Sequence, residues 1–348
     1  MNSESLYHTF QRYRTLQTHR ITALPIVILM PHSACNCKCV MCDIWKGNHT
    51  LKQLTERDVE GLLESLRKLG TRQVLMSGGE ALLNANFFRL CELLKNEGMR
   101  ITLLSTGLAM ARHADKILEW VGEVIVSLDG DEKLHDQIRN IPGAFRKMKE
   151  GIQLLHAAKP DFRITARTVI HRLNFRRWPA IVDAAIDMGL NGISFLPADV
   201  TSEAFNRADP WDAPRQHEIL PSEEELPELL DVLETLIKDY RPLFDNGFIA
   251  EAPAKLRQLG HYYTASYGHN PFPYKKCNAP WVSTVVEADG TVRPCFFLPP
   301  LGNIREHSLD EILNSPSAVA FRQGLDMDTN SSCVKCVCYL NLRPRTKI

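Results

Sequence analysis

From about residue 24, short runs rich in aliphatic and β-branched residues alternate with longer stretches whose apolar residues recur at helical spacing. The strand-like runs are Pro25–Met30, Gln73–Ser77, Arg100–Ser105, Glu123–Leu128, Arg163–Ile170 and Gly192–Pro197. Helical patterns fall between them at Glu56–Leu69, Asn86–Asn96, Ala111–Trp120, Ala144–Ala157 and Arg176–Met188, with Asn174 placed to cap the last. Strands separated by helical segments form βαβ units and a parallel sheet. Six such repeats predict an α/β fold, a partial (β/α)6 barrel rather than a closed eightfold one. Functional groups in such barrels sit at the C-terminal ends of the strands.

After Pro197 the alternation stops. Asp199 to Pro221 is polar and turn-rich, with Trp211 and three prolines; loops of this length are functional lids or disordered. A helix from Ser222 to Tyr240 is marked by Ser222 as N-cap and Glu225 in the capping-box position. Residues 258 to 276 form a Gly/Pro/aromatic stretch that reads as a bridge. Beyond it, alternating Val282–Val286, the Asp289–Gly290 turn and Val292 predict a small C-terminal β-hairpin. The boundaries follow: an N-terminal extension 1–23, a core 24–245, a bridging segment 246–276 and a cysteine-rich domain 277–348.

Composition narrows the classes. Hydrophobic content of 44% with 24% charge describes a globular chain with a substantial core. The formal net charge is zero, so nothing electrostatic favours nucleic acid or an anionic membrane as a partner. The apolar run Leu24–Met30 is far too short to span a bilayer. The polar N-terminus has no apolar signal segment, which makes the cytoplasm the expected location. Five of the ten cysteines lie up to Cys91 and five from Cys277 onward. In a reducing compartment such clusters are metal ligands before they are disulfides.

Cys35, Cys39 and Cys42 are spaced C-x3-C-x2-C in the loop after the first strand run. Three thiolates there can hold three irons of a [4Fe–4S] cluster and leave the fourth open. Zinc sites pair their ligands differently, as two C-x2-C pairs or Cys/His pairs; His32 and His49 sit outside the spacing. The spacing, with Met41 and Asp43-Ile44-Trp45, resembles the radical S-adenosylmethionine (radical SAM) superfamily, whose open iron chelates the amino and carboxylate groups of SAM.

The resemblance extends along the chain. Gly78-Gly79-Glu80 follows the second strand run, and the corresponding turn of the family binds the SAM amino group. Ser127 and Asp129 end the fourth run, which by resemblance puts them near the SAM ribose or methionine moiety; Ser and Asp before Gly also suit a plain turn. His135, Arg139 and Pro142-Gly143 resemble the family's H-x3-R-x2-PG segment. Arg139, or Arg167 on the fifth run, is then expected at the SAM carboxylate, which a guanidinium matches bidentately.

At the C-terminal end, Cys277, Cys295, Cys333 and Cys336 follow the order C…G-x4-C…C-x2-C. This resembles the twitch domain, the shortened relative of the SPASM domain, and implies one auxiliary [4Fe–4S] cluster on those four residues. Cys338 is left spare, although a Cys336/Cys338 ligand pair is also open, as is a four-cysteine zinc knuckle. Cys37 falls off the family spacing, and Cys91 reads as a core cysteine.

The resemblance implies reductive cleavage of SAM to a 5′-deoxyadenosyl radical that abstracts hydrogen from a small-molecule or peptide substrate. Net oxidation follows if the auxiliary cluster accepts the second electron; a redox-neutral epimerase, decarboxylase or rearrangement enzyme shares the same cofactors. A flavodoxin- or ferredoxin-type electron donor is the expected partner. A non-catalytic iron–sulfur electron-transfer protein would explain the cysteines but neither the GGE turn nor Asp129. The short segment before the first run leaves no room for a peptide-leader module, which tilts the expected substrate toward a small molecule or a peptide delivered by a partner. His261, Tyr262, Tyr263, Tyr267 and Trp211 are candidate pocket residues.

Overall fold

A computed structural model describes residues 3–207 and 209–346. The outermost residues of the assigned N-terminal extension and C-terminal domain (1–2 and 347–348), and position 208 of the long loop, lie outside them.

Six strands appear where the hydrophobic pattern places them: β1 (Ile26–Leu29), β2 (Gln73–Met76), β3 (Arg100–Ser105), β4 (Glu123–Ser127), β5 (Ile164–Ile170) and β6 (Ile193–Pro197). All pair in parallel and in sequence order. The helices between them are α2 (Glu56–Lys68), α3 (Phe87–Asn96), α4 (Ala114–Trp120), α5 (Glu132–Arg139), α6 (Ala144–Ala158) and α7 (Trp178–Asp187), after an N-terminal α1 (Ser3–Thr18). Thr55 starts α2 with a capping box to Asp58, and Asp131 caps α5 by accepting from Leu134 N–H at 3.1 Å.

β1, β2, β4 and β5 alternate two environments. Val27, Leu29, Val74, Met76, Ala166 and Ile170 are fully or almost fully buried in the main hydrophobic core. Their neighbours Ile26, Ile28, Gln73, Leu75 and Arg167 are half-buried and line a hollow interior. With a side-chain period of 2, one face packs and the other is left for a ligand.

Following β6 come α8 (Ala213–Ile219), α9 (Leu226–Asp239), α10 (Arg241–Asp245) and α11 (Pro253–Ser266). The Ser222–Glu225 capping box forms as expected. Asn174 does not cap α7; its Oδ1 accepts from His171 N–H at 2.8 Å, and its amide donates to the carbonyls of Asp129 and Val169. About half of the bridging segment is regular secondary structure, chiefly α11. Ile249 pairs with Ile193 at the edge of β6, and α11 buries Leu256, Leu259, Tyr262 and Tyr263. Gly260 and Gly268 masked this helical spacing in the sequence. A Cβ at Gly260 would meet Leu230 Cδ2 at 2.7 Å and Leu233 Cδ2 at 3.1 Å, so α11 lies close against α9 there.

The C-terminal region contains α12 (Ala279–Val282), β7 (Ser283–Val286), β8 (Thr291–Arg293), β9 (Gly302–Asn303), α13 (Leu309–Asn314), α14 (Pro316–Gly324) and α15 (Ser331–Val334). The expected hairpin is β7–β8. What the sequence did not disclose is that β7 also pairs with β1, in parallel, Ile26 opposite Ser283 and Leu29 opposite Val286. One nine-stranded sheet therefore runs through both regions in the order β6-β5-β4-β3-β2-β1-β7-β8-β9. Among the described residues, no helix is long and apolar enough to cross a membrane.

Candidate functional site

The cysteine loop leaves the C-terminal end of β1 and is fastened on four sides. Asn48 accepts from Cys35 N–H at 3.0 Å and returns a bond to its carbonyl at 2.8 Å. The last carbonyls of α5 take the loop's amides, Ile138 from Val40 and Arg139 from Lys38, each at 3.0 Å. A helix C-terminus offers these carbonyls without an internal partner. Below, Glu80 N–H donates to the Ala34 carbonyl at 2.9 Å. Above, the Trp211 indole donates to Asp43 Oδ2 at 2.6 Å, and Arg215 donates to the Val40 carbonyl.

The glycine pair has a steric reason. A Cβ on Gly79 would lie 2.1 Å from the Ala34 carbonyl oxygen, and Gly78 has φ +111°. Only glycines let this turn approach the loop so closely. Glu80 itself is fully buried: its carboxylate accepts from Thr106 N–H at 2.8 Å, Thr106 Oγ1 at 2.7 Å, Ser105 Oγ at 3.0 Å and Leu82 N–H at 3.2 Å. Burial raises its pKa against these bonds. The side chain sequence reasoning set aside for the SAM ammonium thus ties β2 to β3.

The electrostatics suit a metal cluster. Burial, with added repulsion from Cys39, pushes the Cys35 thiol up to about 12 and Cys42 up to about 11. Cys39 goes the other way, to about 6, through a hydrogen bond with Cys37 and the charge of Arg139. Three thiols crowded in this way resist shared ionisation until iron supplies the compensating charge. The donor set and its surroundings therefore fit the open-iron cluster. Cys37, which fell off the motif, is buried against Cys39.

Asp129 and Arg139 are brought to each other. Asp129 is fully buried, Arg139 7% exposed, and Arg139 Nη2 pairs with Asp129 Oδ2 while Nη1 donates to Cys39 Sγ at 3.4 Å. His135 and His171 are buried beside them and held neutral, each lowered to about 3 by burial and then by Arg139. By contrast Ser127 and Arg167 stand opposite each other on β4 and β5, and Arg167 lines the interior, where its Nε donates to Ser194 at 3.2 Å.

That interior is a cavity of about 300 Å³. Its walls include Ile28, Leu75, Leu104 and Arg167 from the strands, and all five C-terminal cysteines. Cys277 precedes β7, which runs parallel to β1, whereas the first cysteine loop follows β1; the two sets approach the sheet from opposite ends. Cys277, Cys295, Cys333 and Cys336 are half-buried and Cys338 is exposed. Burial raises Cys295 to about 12 and Cys333 to about 11, so these thiols keep their protons near neutral pH and would release them on binding a metal. Lys275, a cation the sequence reading passed over, lies among them and donates to the Val334 carbonyl at 3.0 Å.

A second, outer groove of about 970 Å³ lies between His49–Lys52, the 201–207 loop and 287–300. Phe296, Phe297 and Leu298 line both spaces, and Phe205 packs on the two phenylalanines at 6.4 and 6.0 Å. Of the candidate pocket residues, Tyr262 lines a small cavity beside Arg167 and Cys336, Trp211 is buried with its indole on Asp43, and His261 faces solvent. Tyr263 is buried, bonded to Ala198 N–H and the Ile170 carbonyl; Tyr267 donates to the Pro221 carbonyl.

Residues 29–185 match the family model of the radical SAM superfamily, and residues 277–337 match that of an iron–sulfur cluster-binding domain, SPASM. The chain is 26% identical over 230 residues to Fe-coproporphyrin III synthase of Methanosarcina barkeri, a match covering 65% of this chain and 54%, about half, of that protein. It is 25% identical over 291 residues to the AdoMet-dependent heme synthase of the same organism, 80% of this chain and 79% of the relative. Streptococcus suis SuiB bound to precursor peptide SuiA shares the fold with a TM-score of 0.64 at 13% identity, over 94% of this chain and 73% of that one.

Proposed function

This chain belongs to the radical SAM superfamily and carries a C-terminal SPASM domain, and from that premise we propose that it oxidises a substrate arm held inside the barrel by removing a hydrogen atom and then an electron. The observation that carries the reading is the single cavity shared by the strand interior and the five C-terminal cysteines. Anything bound there touches the C-terminal cysteines and the inward residues of the strands, Ser77 at the end of β2 among them. When bound, the cluster at Cys35, Cys39 and Cys42 supplies with SAM a 5′-deoxyadenosyl radical, and a cluster at Cys277, Cys295, Cys333 and Cys336 an electron acceptor.

The chain's own residues orient and enclose. Ser127 and Arg167 are the polar groups assigned to SAM, with Arg167 at its carboxylate, and the Gly78–Gly79 backbone is assigned to its ammonium. Glu80 and Asp129 act from behind, through the elements they tie. The apolar wall excludes water from a species that would otherwise be quenched. A cavity of about 300 Å³ beside a groove of about 970 Å³ favours a small molecule or peptide that inserts one arm and rests its body outside. An external flavodoxin- or ferredoxin-type protein is assigned as the electron source.

The test is anaerobic reconstitution with iron and sulfide, comparing wild type with a variant in which Cys35, Cys39 and Cys42 are alanine. About eight irons against about four, with deoxyadenosine made only by wild type, supports two cubane clusters and radical chemistry. With Fe-coproporphyrin and ribosomal-peptide panels as trial substrates, one SAM consumed and one deoxyadenosine formed per oxidised product marks oxidation. Recycling of its hydrogen marks a redox-neutral reaction and sinks the proposed outcome.

A further inference from the structure

The family resemblance sends Arg139 to the SAM carboxylate, but the structure gives it another occupation. Its guanidinium is almost wholly enclosed, with one nitrogen on Cys39 Sγ at 3.4 Å and another on the carboxylate of Asp129. Asp129 in turn accepts from Val169 N–H at 3.3 Å, and its own carbonyl is held by Asn174. The residue that offers the guanidinium also offers its carbonyl to Lys38 in the cysteine loop. His135 and His171 complete the surroundings as neutral rings; Nδ1 of each accepts a backbone N–H, from Asp129 at 3.2 Å and from Leu173 at 3.3 Å. One full positive charge therefore faces one cluster ligand, and one buried negative charge stands directly behind it.

We propose that the Arg139–Asp129 pair sets the reduction potential of the SAM-binding cluster through the hydrogen bond to Cys39. Accepting an electron makes the cluster more negative, and hydrogen bonds to its sulfurs and nearby charge tune how costly that is. A guanidinium donating to the thiolate stabilises the reduced state more than the oxidised one. Asp129 opposes part of that effect and fixes the fork in place. Arg139 is thus a positioning and tuning residue, not a contact to SAM. The inference rests on cluster binding at Cys39 and is independent of whether the overall reaction is an oxidation.

The two members of the pair should act in opposite directions, which a fastening role alone would not produce. The experiment is an EPR-monitored redox titration of the reconstituted holoenzyme, following the signal that changes on SAM addition. The auxiliary-cluster signal serves as internal reference. Arg139→Gln is expected to lower the potential, reducing the ratio of reduced to oxidised cluster at a fixed setting roughly tenfold, which is 59 mV for a one-electron couple. Asp129→Asn, which leaves the guanidinium uncompensated, is expected to raise it, and Arg139→Lys to fall between wild type and Arg139→Gln. If Arg139→Gln fails to hold the first four irons, Asp129→Asn decides alone: an upward shift supports the proposal and no shift overturns it. Unchanged potentials in both variants, with weakened SAM binding in Arg139→Gln, would return Arg139 to the SAM carboxylate. Shifts of the same sign in both would reduce the pair to a mechanical fastener.

Discussion

The two buried histidines beside Arg139 make the protein's stability depend on pH in a stated direction. Their pKa values are depressed to about 3 in the fold, against roughly 6.5 in the unfolded chain. Between those values the unfolded state binds more protons, so stability falls as the pH drops from about 6.5 toward 3. From pH 7 to pH 5 the loss is roughly 2 kcal/mol per histidine. The double variant His135→Gln/His171→Gln should therefore lose roughly 4 kcal/mol less than wild type over that interval. Urea denaturation of the reconstituted protein at the two pH values measures it; parallel losses would refute the assignment. At this scale the sequence was legible where chemistry is local. Cys35, Cys39 and Cys42 declare themselves by spacing, and Cys91 by the apolar helix it sits in. The bond from Arg139 to Cys39 spans 100 positions, and that from Trp211 to Asp43 spans 168. No window along the chain contains either pair. Arg139 was singled out through its motif, and only the fold shows which neighbour it serves.

Among the elements, the contact between the GGE turn and the cysteine loop is the least tolerant. A methyl on Gly79 would sit 2.1 Å from a backbone oxygen, which cannot move without carrying Ala34 and Cys35 with it. Gly79→Ala is expected to retain about four irons instead of eight, all on the auxiliary site, with loss of deoxyadenosine formation. Iron and sulfide analysis checks this, and a full complement of iron would mean that the loop relocates freely. The strand and helix pattern was readable because period 2 and period 3.6 leave different marks. Helix α5 was missed because it is only eight residues long and mostly polar. Helix α11 was missed because glycines near its end imitate a linker, although its apolar residues at 256, 259 and 263 keep helical spacing.

For the molecule as a whole, the sheet is the unit of stability. β1 has β2 on one side and β7 on the other, so cutting the chain after Lys276 strips one partner from a central strand and uncovers an apolar edge. Such an edge is a template for aggregation. Residues 1–276 alone are expected to be insoluble or to elute as aggregates, whereas the full chain elutes as a discrete species in size-exclusion chromatography. A discrete, folded fragment would show that the barrel stands without β7. Sequence reading found both regions but drew a boundary between them, since strand partners 257 residues apart (Ile26 and Ser283) share no local signal. The shared sheet also constrains ancestry and engineering. A cluster-bearing segment that contributes a strand to its neighbour cannot be exchanged like a bead on a string. Any chimera that borrows the C-terminal region from a relative inherits an edge of the reaction chamber with it, so the two parts must diversify together, by paired substitutions across the β1–β7 seam.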